Sequence, residues 1–301
     1  MKIISIGEVL WDVIGEEEHL GGAPFNFAAH VKRLGHEVLF VSAVGEDQRG
    51  NRILGRMAAI GLATNYVSRS RRHPTGTVTV VLSSDGQPEF NIHRPAAYDF
   101  PRLTRAELDS LLSPSPDWIY FGTLLQMSCE ARDLTERVLS QSKRAERFYD
   151  VNLRPSSYDP ALVRSLLAQA TVVKLNDAEV PAVASMVGRA PTSLEDFCRT
   201  YARTFGWKSV CVTTGARGCV ALIEGAFVEA EGYAVSVTDS VGAGDAFAAA
   251  FVHGLSSGWS AAKIADFSNR VGALVASRRG AIPDWTLDEV LALKRTGRGS
   301  A

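Results

Sequence analysis

Residues 2–45 contain the pattern that decides the fold, namely "KIISIG" (2–7), "APFNFAAHVKRLGH" (23–36) and "VLFVSAVG" (38–45). The first and third segments are continuous apolar runs, which are typical of strands buried on both faces of a sheet. Apolar residues in the middle segment recur at helical spacing, and Gly35 marks the end of that helix. The stretch therefore predicts a strand, a helix and a second strand in succession.

The same order recurs along the rest of the chain. Further strands are predicted at 117–125, 147–153, 171–176 and 209–215, and further helices at about 129–143, 160–169, 193–206, 244–257, 260–277 and 286–295. Buried strands that alternate with amphipathic helices indicate an α/β fold with a mainly parallel central sheet and helices on both faces.

Two segments interrupt this alternation. Residues 9–22 and about 75–97 have the pattern of β-hairpins, and "SSDGQ" (83–87) predicts the turn of the second hairpin. In folds of this class the crevice lies at the carboxyl ends of the strands, so we expect these segments to form a small β-sheet lid over it. We predict one domain over 1–296 that includes the lid, and a flexible tail over 297–301.

The overall charge and the cysteines restrict the possible classes of function. The formal net charge is −1 at pH 7 and no basic stripe is present, which argues against electrostatic binding of nucleic acid or a membrane surface. The apolar run at the start of the sequence is soon broken by Glu8 and Asp12, and no uncharged stretch is long enough to span a bilayer. The four cysteines include no C-x-x-C pair, which is typical of reduced thiols. The sequence thus predicts a cytoplasmic protein that binds neither nucleic acid nor membrane.

The stretch "TDSVGAGDAFAAAF" (238–251) places Gly242, Ala243 and Gly244 immediately before Asp245 and an alanine-rich helix. Small residues leave backbone N–H groups accessible, and the start of a helix adds partial positive charge, so this arrangement suits an anion. The adjacent carboxylate is a candidate base. The alternative is a tight turn in which Asp245 only caps the helix. The sequence contains neither a Walker A motif nor a Rossmann glycine fingerprint.

"DSVGAGDAF" (239–247) resembles the C-terminal signature of the ribokinase-like (PfkB) family of carbohydrate kinases, with Ser240 in place of the usual threonine. The other stretches that resemble family motifs occur in family order, and they are "GGAPFNFAAHVKRLG" (21–35), "DVNLR" (150–154), "KLNDAE" (174–179), "VTTGARG" (212–218) and "FSNRVGALVASRRGAIP" (267–283). Together they cover nearly the whole chain, which makes the resemblance specific. "GEVLWD" near the start and "RPAAYD" after the lid are most similar to the fructokinase branch.

The resemblance implies a role for each residue of the glycine-rich stretch. Asp245 would take the proton from the acceptor hydroxyl, and Gly242, Ala243 and Gly244 would form the anion hole for the transferred phosphoryl group. Arg154 would be a mobile cation above the phosphates, and its alternative is an ordinary surface ion pair.

The resemblance also implies sites for ATP and for Mg²⁺. The residues implied in nucleotide binding are Lys174, Asn176, Thr213, Gly215, Gly218 and Asn269. Asn176 and Glu179 would hold Mg²⁺ through water. Without the resemblance, their spacing favours a helix cap with Asn176 as the cap and Glu179 at the third helical position. Asn269 has the alternative of an ordinary polar helix residue.

A monovalent cation, K⁺, is a further implication of the resemblance. Its site would lie near Asp239 and the loop 277–280. The family also often dimerises through its lids, so the resemblance implies a homodimer.

The acceptor is expected to bind to the lid and to the start of the first helix. Asp12 can accept hydrogen bonds from two sugar hydroxyls, Gly21 and Gly22 allow close approach of the backbone, and Asn26 can both donate and accept. In the alternative interpretation the glycines form a hinge and Asn26 only begins a helix. Arg94 and Asn152 complete the set of candidate substrate contacts.

We therefore predict an ATP-dependent sugar kinase that phosphorylates a primary hydroxyl of a small sugar. Fructose is the first candidate, 2-keto-3-deoxygluconate the second because Arg94 could pair with its carboxylate, and ribose or a nucleoside the third. Two other classes are considered, namely a catalytically inactive regulator that binds sugar or nucleotide and a nicotinamide-dependent oxidoreductase. The latter needs a glycine fingerprint after the first strand, where this chain has "ISIGEVLWD".

Overall fold

The computed structural model describes residues 1–82, 88–154 and 157–294. The chain groups into two compact units, Met1–Glu146 and Arg147–Ala301, and each is described by itself.

The first unit begins with the predicted strand, helix and strand. Its strands are β1 (Lys2–Ile6), β2 (Leu10–Ile14), β3 (Glu17–Gly21), β4 (Glu37–Gly45), β5 (Val67–Ser70), β6 (Gly76–Leu82), β7 (Pro88–His93) and β8 (Trp118–Gly122), and its helices are α1 (Ala23–Arg33), α2 (Gln48–Ala59), α3 (Arg105–Leu111), α4 (Thr123–Gln126) and α5 (Cys129–Gln141). Strand β1 pairs in parallel with β4 and β8, and β4 pairs in parallel with β5.

Helix α1 packs against this parallel sheet through its aromatic side chains. Phe27 stacks on Tyr120 of β8 with 3.8 Å between ring centroids, and Phe25 meets Phe40 of β4 edge-on at 5.7 Å. All four rings are fully buried. Burial of aromatic side chains supplies much of the energy of a core, so these contacts hold the start of α1 in place.

A separate four-stranded sheet has the order β3-β2-β6-β7. Strands β2 and β3 are antiparallel, as are β6 and β7, so both predicted hairpin segments are confirmed as paired strands. Strand β2 also pairs in parallel with β6, which joins the two hairpins in one sheet. The predicted turn at 83–87 lies outside the described residues.

The second unit continues the alternation of strands and helices. Its strands are β9 (Glu146–Asp150), β10 (Val172–Asn176), β11 (Ser209–Thr213), β12 (Gly218–Ile223) and β13 (Ala226–Glu231), and its helices are α6 (Pro160–Gln169), α7 (Val180–Val187), α8 (Leu194–Phe205), α9 (Ala243–Ser256), α10 (Ala261–Ala276) and α11 (Leu287–Ala292). Strand β10 is parallel to β9 and β11, whereas β12 and β13 extend the sheet in antiparallel fashion. Sequence reasoning missed β12 and β13, and it placed the start of α7 just after Asn176, whereas the helix begins at Val180.

Two further expectations concern the thiols and the membrane. Cys198, Cys211 and Cys219 are buried free thiols, and Cys129 is an exposed one. In the ranges that the structure describes, every helix is too short or too polar to traverse a lipid bilayer.

Candidate active site

The residues predicted to bind phosphate and nucleotide all lie in the second unit, where helix α9 begins at the glycine-rich stretch. Gly242 caps this helix in the left-handed conformation, with φ of 79°. A Cβ at Gly242 would lie 2.4 Å from the carbonyl oxygen of Ala281, so only glycine fits there. The turn therefore brings the backbone closer to its neighbours than any side chain would allow.

The backbone N–H groups at this helix start are only partly used. Ala243 N donates a long 3.3 Å bond to the Ser240 carbonyl, and Ala246 N donates at 2.9 Å to Gly242. The N–H groups of Gly242 and Gly244 donate to no acceptor within the described ranges. Because the first N–H groups of a helix carry partial positive charge, they can receive an anionic oxygen.

Asp245 lies in the first turn of α9 with 9% of its surface exposed. The ammonium of Lys174 lies on the same side of the helix start, since its Nζ is 3.5 Å from where a Cβ on Gly244 would be. The predicted base and the predicted anion hole are thus next to a buried cation.

That cation belongs to a buried ion pair. Lys174 Nζ donates to both carboxylate oxygens of Asp150 at 3.0 Å, and the two side chains are 9% and 1% exposed. Burial acts to lower the pKa of Lys174, but the carboxylates of Asp150, Asp245 and Glu179 outweigh it and raise that pKa above its ordinary value. The positive charge of Lys174, which was predicted to contact the nucleotide, therefore interacts with carboxylates of the protein. Sequence reasoning missed Asp150, although it opens the motif "DVNLR".

Asn176 and Glu179 bond to each other reciprocally across the turn between β10 and α7, so Asn176 is not the helix cap, because α7 begins at Val180 with Glu179 as its first flanking residue. Glu179 Oε2 accepts from Asn176 N at 2.8 Å, and Asn176 Oδ1 accepts from Glu179 N at 3.0 Å. Glu179 Oε1 accepts from Leu153 N at 2.6 Å, so both carboxylate oxygens hold backbone amides. Burial raises the pKa of Glu179. This donor set fits Mg²⁺ only through water, and the described residues contain no cluster of three acidic, histidine or cysteine side chains suited to a metal.

Asn152 is held in an unusual backbone conformation beside this pair. Its φ is 36°, and its neighbours are fixed because Val151 N donates to the Lys174 carbonyl and Leu153 N to Glu179. Left-handed backbone outside glycine is uncommon and clusters at functional sites. Arg154 follows with an exposed side chain that makes no ion pair within the described ranges, so the surface-pair alternative is not observed there.

The predicted nucleotide turn follows β11. Thr213 ends that strand, Gly215 has φ of 59°, and Thr214 N donates to the Gly218 carbonyl at 2.8 Å. Gly218 has φ of 108°, and a Cβ there would lie 2.0 Å from the Ala230 carbonyl oxygen. The turn is therefore closed tightly against β13.

Two other predicted contacts hold parts of the fold together. Asn269 Nδ2 donates to the carbonyls of Ala230 and Glu231 at 3.0 and 3.3 Å, which ties α10 to β13. Asp239 accepts from Val241 N and Gly280 N, each at 3.0 Å, which joins the glycine-rich stretch to the loop 277–280.

The predicted sugar contacts, apart from Asn152, lie in the first unit. A Cβ on Gly21 would lie 2.4 Å from Asp12 Oδ2, and one on Gly22 would lie 2.5 Å from the Glu8 carbonyl oxygen. Asn26 is 2% exposed and donates its backbone N–H to the Gly22 carbonyl at 2.9 Å. The structure thus brings Asp12, both glycines and the start of α1 together.

Arg94 follows β7 and is paired with a buried carboxylate. Its guanidinium donates to both oxygens of Asp99, which is 3% exposed. Sequence reasoning missed Asp99, although it ends the stretch "RPAAYD" (94–99).

Comparisons with known proteins show which proteins the chain is similar to. The chain is 29% identical to a fructokinase of Escherichia coli over 93% of this chain and 95% of that protein. Its structure resembles a fructokinase from Xylella fastidiosa with bound ATP, with a TM-score of 0.86, 25% identity and 97% of each chain covered. It also shares the fold of a 2-dehydro-3-deoxygluconokinase from Thermotoga maritima, with a TM-score of 0.85 and 19% identity over 97% of this chain and 98% of that one.

The fold is ribokinase-like, with a large and mostly parallel sheet, helices and a small separate sheet, as predicted. The profile of the pfkB family carbohydrate kinases matches residues 2–287. The chain therefore belongs to the pfkB family of carbohydrate kinases and is a sugar phosphotransferase.

Proposed function

We propose that this kinase transfers the γ-phosphoryl group of ATP to a primary hydroxyl of fructose. The observation that carries the proposal is the start of α9, where the buried Asp245 adjoins the N–H groups of Gly242 and Gly244. The similarity to the Escherichia coli fructokinase supports fructose as the acceptor.

In the proposed reaction the sugar hydroxyl oxygen forms a bond to the γ-phosphorus, and its proton passes to the carboxylate of Asp245. The bond between that phosphorus and the β–γ bridging oxygen breaks, and ADP leaves with the electron pair. The N–H groups of Gly242 and Gly244 stabilise the charge that builds up on the phosphoryl oxygens. Arg154, whose side chain is exposed, is proposed to supply a further cation to the phosphates.

ATP is proposed to bind at the turn made by Thr213, Gly215 and Gly218. Mg²⁺, which neutralises phosphate charge when bound, is proposed to be held through water near Asn176 and Glu179 because both Glu179 oxygens already accept amides. K⁺ is proposed to lie near Asp239, where the glycine-rich stretch meets the loop 277–280.

The acceptor sugar is proposed to bind to Asp12, Gly21, Gly22 and Asn26, with Arg94 and Asn152 as further contacts. Asp12 supports this because a carboxylate can accept hydrogen bonds from two adjacent hydroxyls.

A homodimer through the small sheet and a cytoplasmic location are also proposed. Strands β3 and β7 are the outer strands of that sheet, and edge strands can pair with a second copy. Light scattering behind size exclusion measures the mass directly, and a monomer would reject the dimer. The cysteine usage supports the location.

The test is a coupled ADP-release assay of purified protein with fructose, 2-keto-3-deoxygluconate, ribose and nucleosides. Asp245→Asn should lower kcat by about 10²–10⁴-fold, the range for loss of a general base, while ATP affinity is kept. The matched control is Asp288→Asn, because Asp288 is exposed in α11 and should leave kcat unchanged. Near-normal turnover of the Asp245 variant would reject the base assignment.

A further inference from the structure

The guanidinium of Arg94 is held rigidly on one side. Nε donates to Asp99 Oδ2 at 3.2 Å, Nη2 donates to Asp99 Oδ1, and Nη1 donates to the Leu124 carbonyl at 3.2 Å. A two-point contact between arginine and carboxylate sets the plane of the guanidinium as well as its position. Asp99 thus determines where Arg94 points.

Asp99 is itself fixed by the backbone. Its Oδ2 accepts from Ala96 N at 2.9 Å, and the residue is 3% exposed within the short turn Ala97–Asp99. The carboxylate therefore cannot follow the arginine into solvent, and the pair stays at this place.

The other side of the guanidinium retains hydrogen-bonding capacity. An arginine has five N–H donors, and described residues accept three of those of Arg94. The remaining donors are on Nη1 and Nη2, and 22% of the side chain is exposed. Arg94 can therefore donate to an oxygen outside the protein.

The small sheet places this pair near the predicted sugar contacts. Gly76 of β6 pairs with Leu10 of β2, which also pairs with Gly21. A Cβ on Gly76 would lie 2.4 Å from the ring of Tyr98, the residue before Asp99. The guanidinium lies 5.9 Å from the same ring. Arg94 is thus connected to the sheet segment that carries Asp12.

The charges of this cluster do not favour an anion. Asp99 compensates the charge of Arg94, and the charge of Glu8 acts on Tyr98 together with those of Arg94 and Asp99. Asp12 lies on β2, and β6 separates that strand from β7, which Arg94 follows. A carboxylate on the substrate would meet at least as much negative charge as positive charge. Hydroxyl groups carry no such penalty and can accept from the remaining N–H donors.

We propose that Asp99 is a positioning residue that makes Arg94 a hydroxyl-directed donor and, by compensating its charge, selects neutral sugars over sugar acids. This inference rests on the proposed sugar kinase function. It assigns the substrate class to neutral polyhydroxy sugars and disfavours 2-keto-3-deoxygluconate.

Calorimetric binding and ADP release are measured for fructose and 2-keto-3-deoxygluconate. The unaltered enzyme should prefer fructose by at least about 100-fold in both Kd and kcat/KM, the scale of about two tenfold steps in affinity. Asp99→Asn should raise the Kd and KM for fructose by about 10-fold or more, the scale of one lost charged hydrogen bond. The preference for fructose over 2-keto-3-deoxygluconate should fall by a similar factor. The KM for ATP should stay within about twofold.

Arg94→Lys separates charge from geometry. It keeps a cation opposite Asp99 but loses the planar fork, so the fructose KM should rise while the preference for fructose over the sugar acid remains. This variant keeps the proposal testable if Asp99→Asn does not fold, which circular dichroism reports. Glu46→Gln removes an exposed ion pair with Arg71 in the same unit and should change neither quantity.

The proposal is overturned if the enzyme binds the sugar acid as well as fructose, or if Asp99→Asn leaves fructose binding and the preference unchanged. It is also overturned if Arg94→Lys abolishes the preference. Failure of the proposed kinase function gives a different result, namely sugar binding without ADP release from the folded protein. Because calorimetry does not need turnover, it decides the present proposal in that case as well.

Discussion

The buried ion pair between Lys174 and Asp150 leads to a quantitative prediction for Lys174→Met. Methionine approximates the shape of the lysine stem, so the change removes chiefly the charge and the two 3.0 Å contacts with Asp150. Asp150 is 1% exposed and would lose the buried ammonium group that both its carboxylate oxygens contact. Breaking such a pair on one side costs about 3–5 kcal/mol of unfolding free energy. Since whole domains are stable by only about 5–15 kcal/mol, this is a large fraction of the total.

The free energy of unfolding of the full chain is measured by urea denaturation, with circular dichroism as the signal. The matched control is Arg199→Met, which breaks an exposed pair with Glu195 whose side chains are 45% and 48% exposed. An exposed pair one helical turn apart contributes only about 0.3–0.5 kcal/mol. In the double variant Lys174→Met with Asp150→Asn, the two losses in unfolding free energy should fail to add by about 0.5–3 kcal/mol, because position 150 then carries no charge that needs the lysine.

The same lysine predicts the direction of a pH effect. Its raised pKa means that the folded state binds the proton more tightly, so its contribution is complete below the ordinary lysine pKa of about 10.4. Stability should then fall as the pH rises through the higher pKa of the folded state, and Lys174→Met should lack this part of the alkaline loss. The reasoning would be refuted if Lys174→Met lowered the free energy of unfolding as little as Arg199→Met does. It would also be refuted if the free energy of unfolding of the unaltered protein and of Lys174→Met fell equally steeply at alkaline pH.

Two other predictions concern packing and thiol chemistry. Gly218→Ala should prevent stable folding of the turn, because the new Cβ would lie 2.0 Å from the Ala230 carbonyl oxygen. In the control Gly258→Ala the new Cβ would have no atom within 4 Å, so the free energy of unfolding from urea denaturation should fall by only about 1 kcal/mol. Equal costs would contradict this reasoning. At pH 8 a water-soluble thiol reagent should modify Cys129 first, because it is exposed while burial raises the pKa of Cys198 to about 12. Cys129→Ser should remove the fast phase, and a fast phase that persists would contradict the prediction.

The start of α9 was predictable from the sequence because its geometry is local. Gly242 and its small neighbours allow a left-handed turn, and the alanine-rich run that follows favours a helix. Asp245 then falls in the first turn whatever else the chain does. The hairpin segments were predictable for the same reason, since strand pairing over a short separation follows from local pattern.

The burial of charged partners was not predictable in this way. Lys174 and Asp150 are 24 residues apart, and they meet because the register of β9 and β10 sets them directly opposite each other. The roles of Asn176 and Glu179 were open to two interpretations in the sequence. The second contact of the Glu179 carboxylate, which accepts from Leu153 N, depends on how the ends of neighbouring strands lie.

The sequence by itself determined the parallel strands β1, β4, β8, β9, β10 and β11, the family, and the placing of a carboxylate beside accessible amides, because these depend on residue type and on spacing along one element. Only the tertiary structure decided that Lys174 forms an ion pair with Asp150 and that Arg94 forms one with Asp99. The physical reason is that the free energy of a charge depends on how far it is removed from water and on which opposite charge lies within contact. Both quantities are set by strand register and by packing between distant segments.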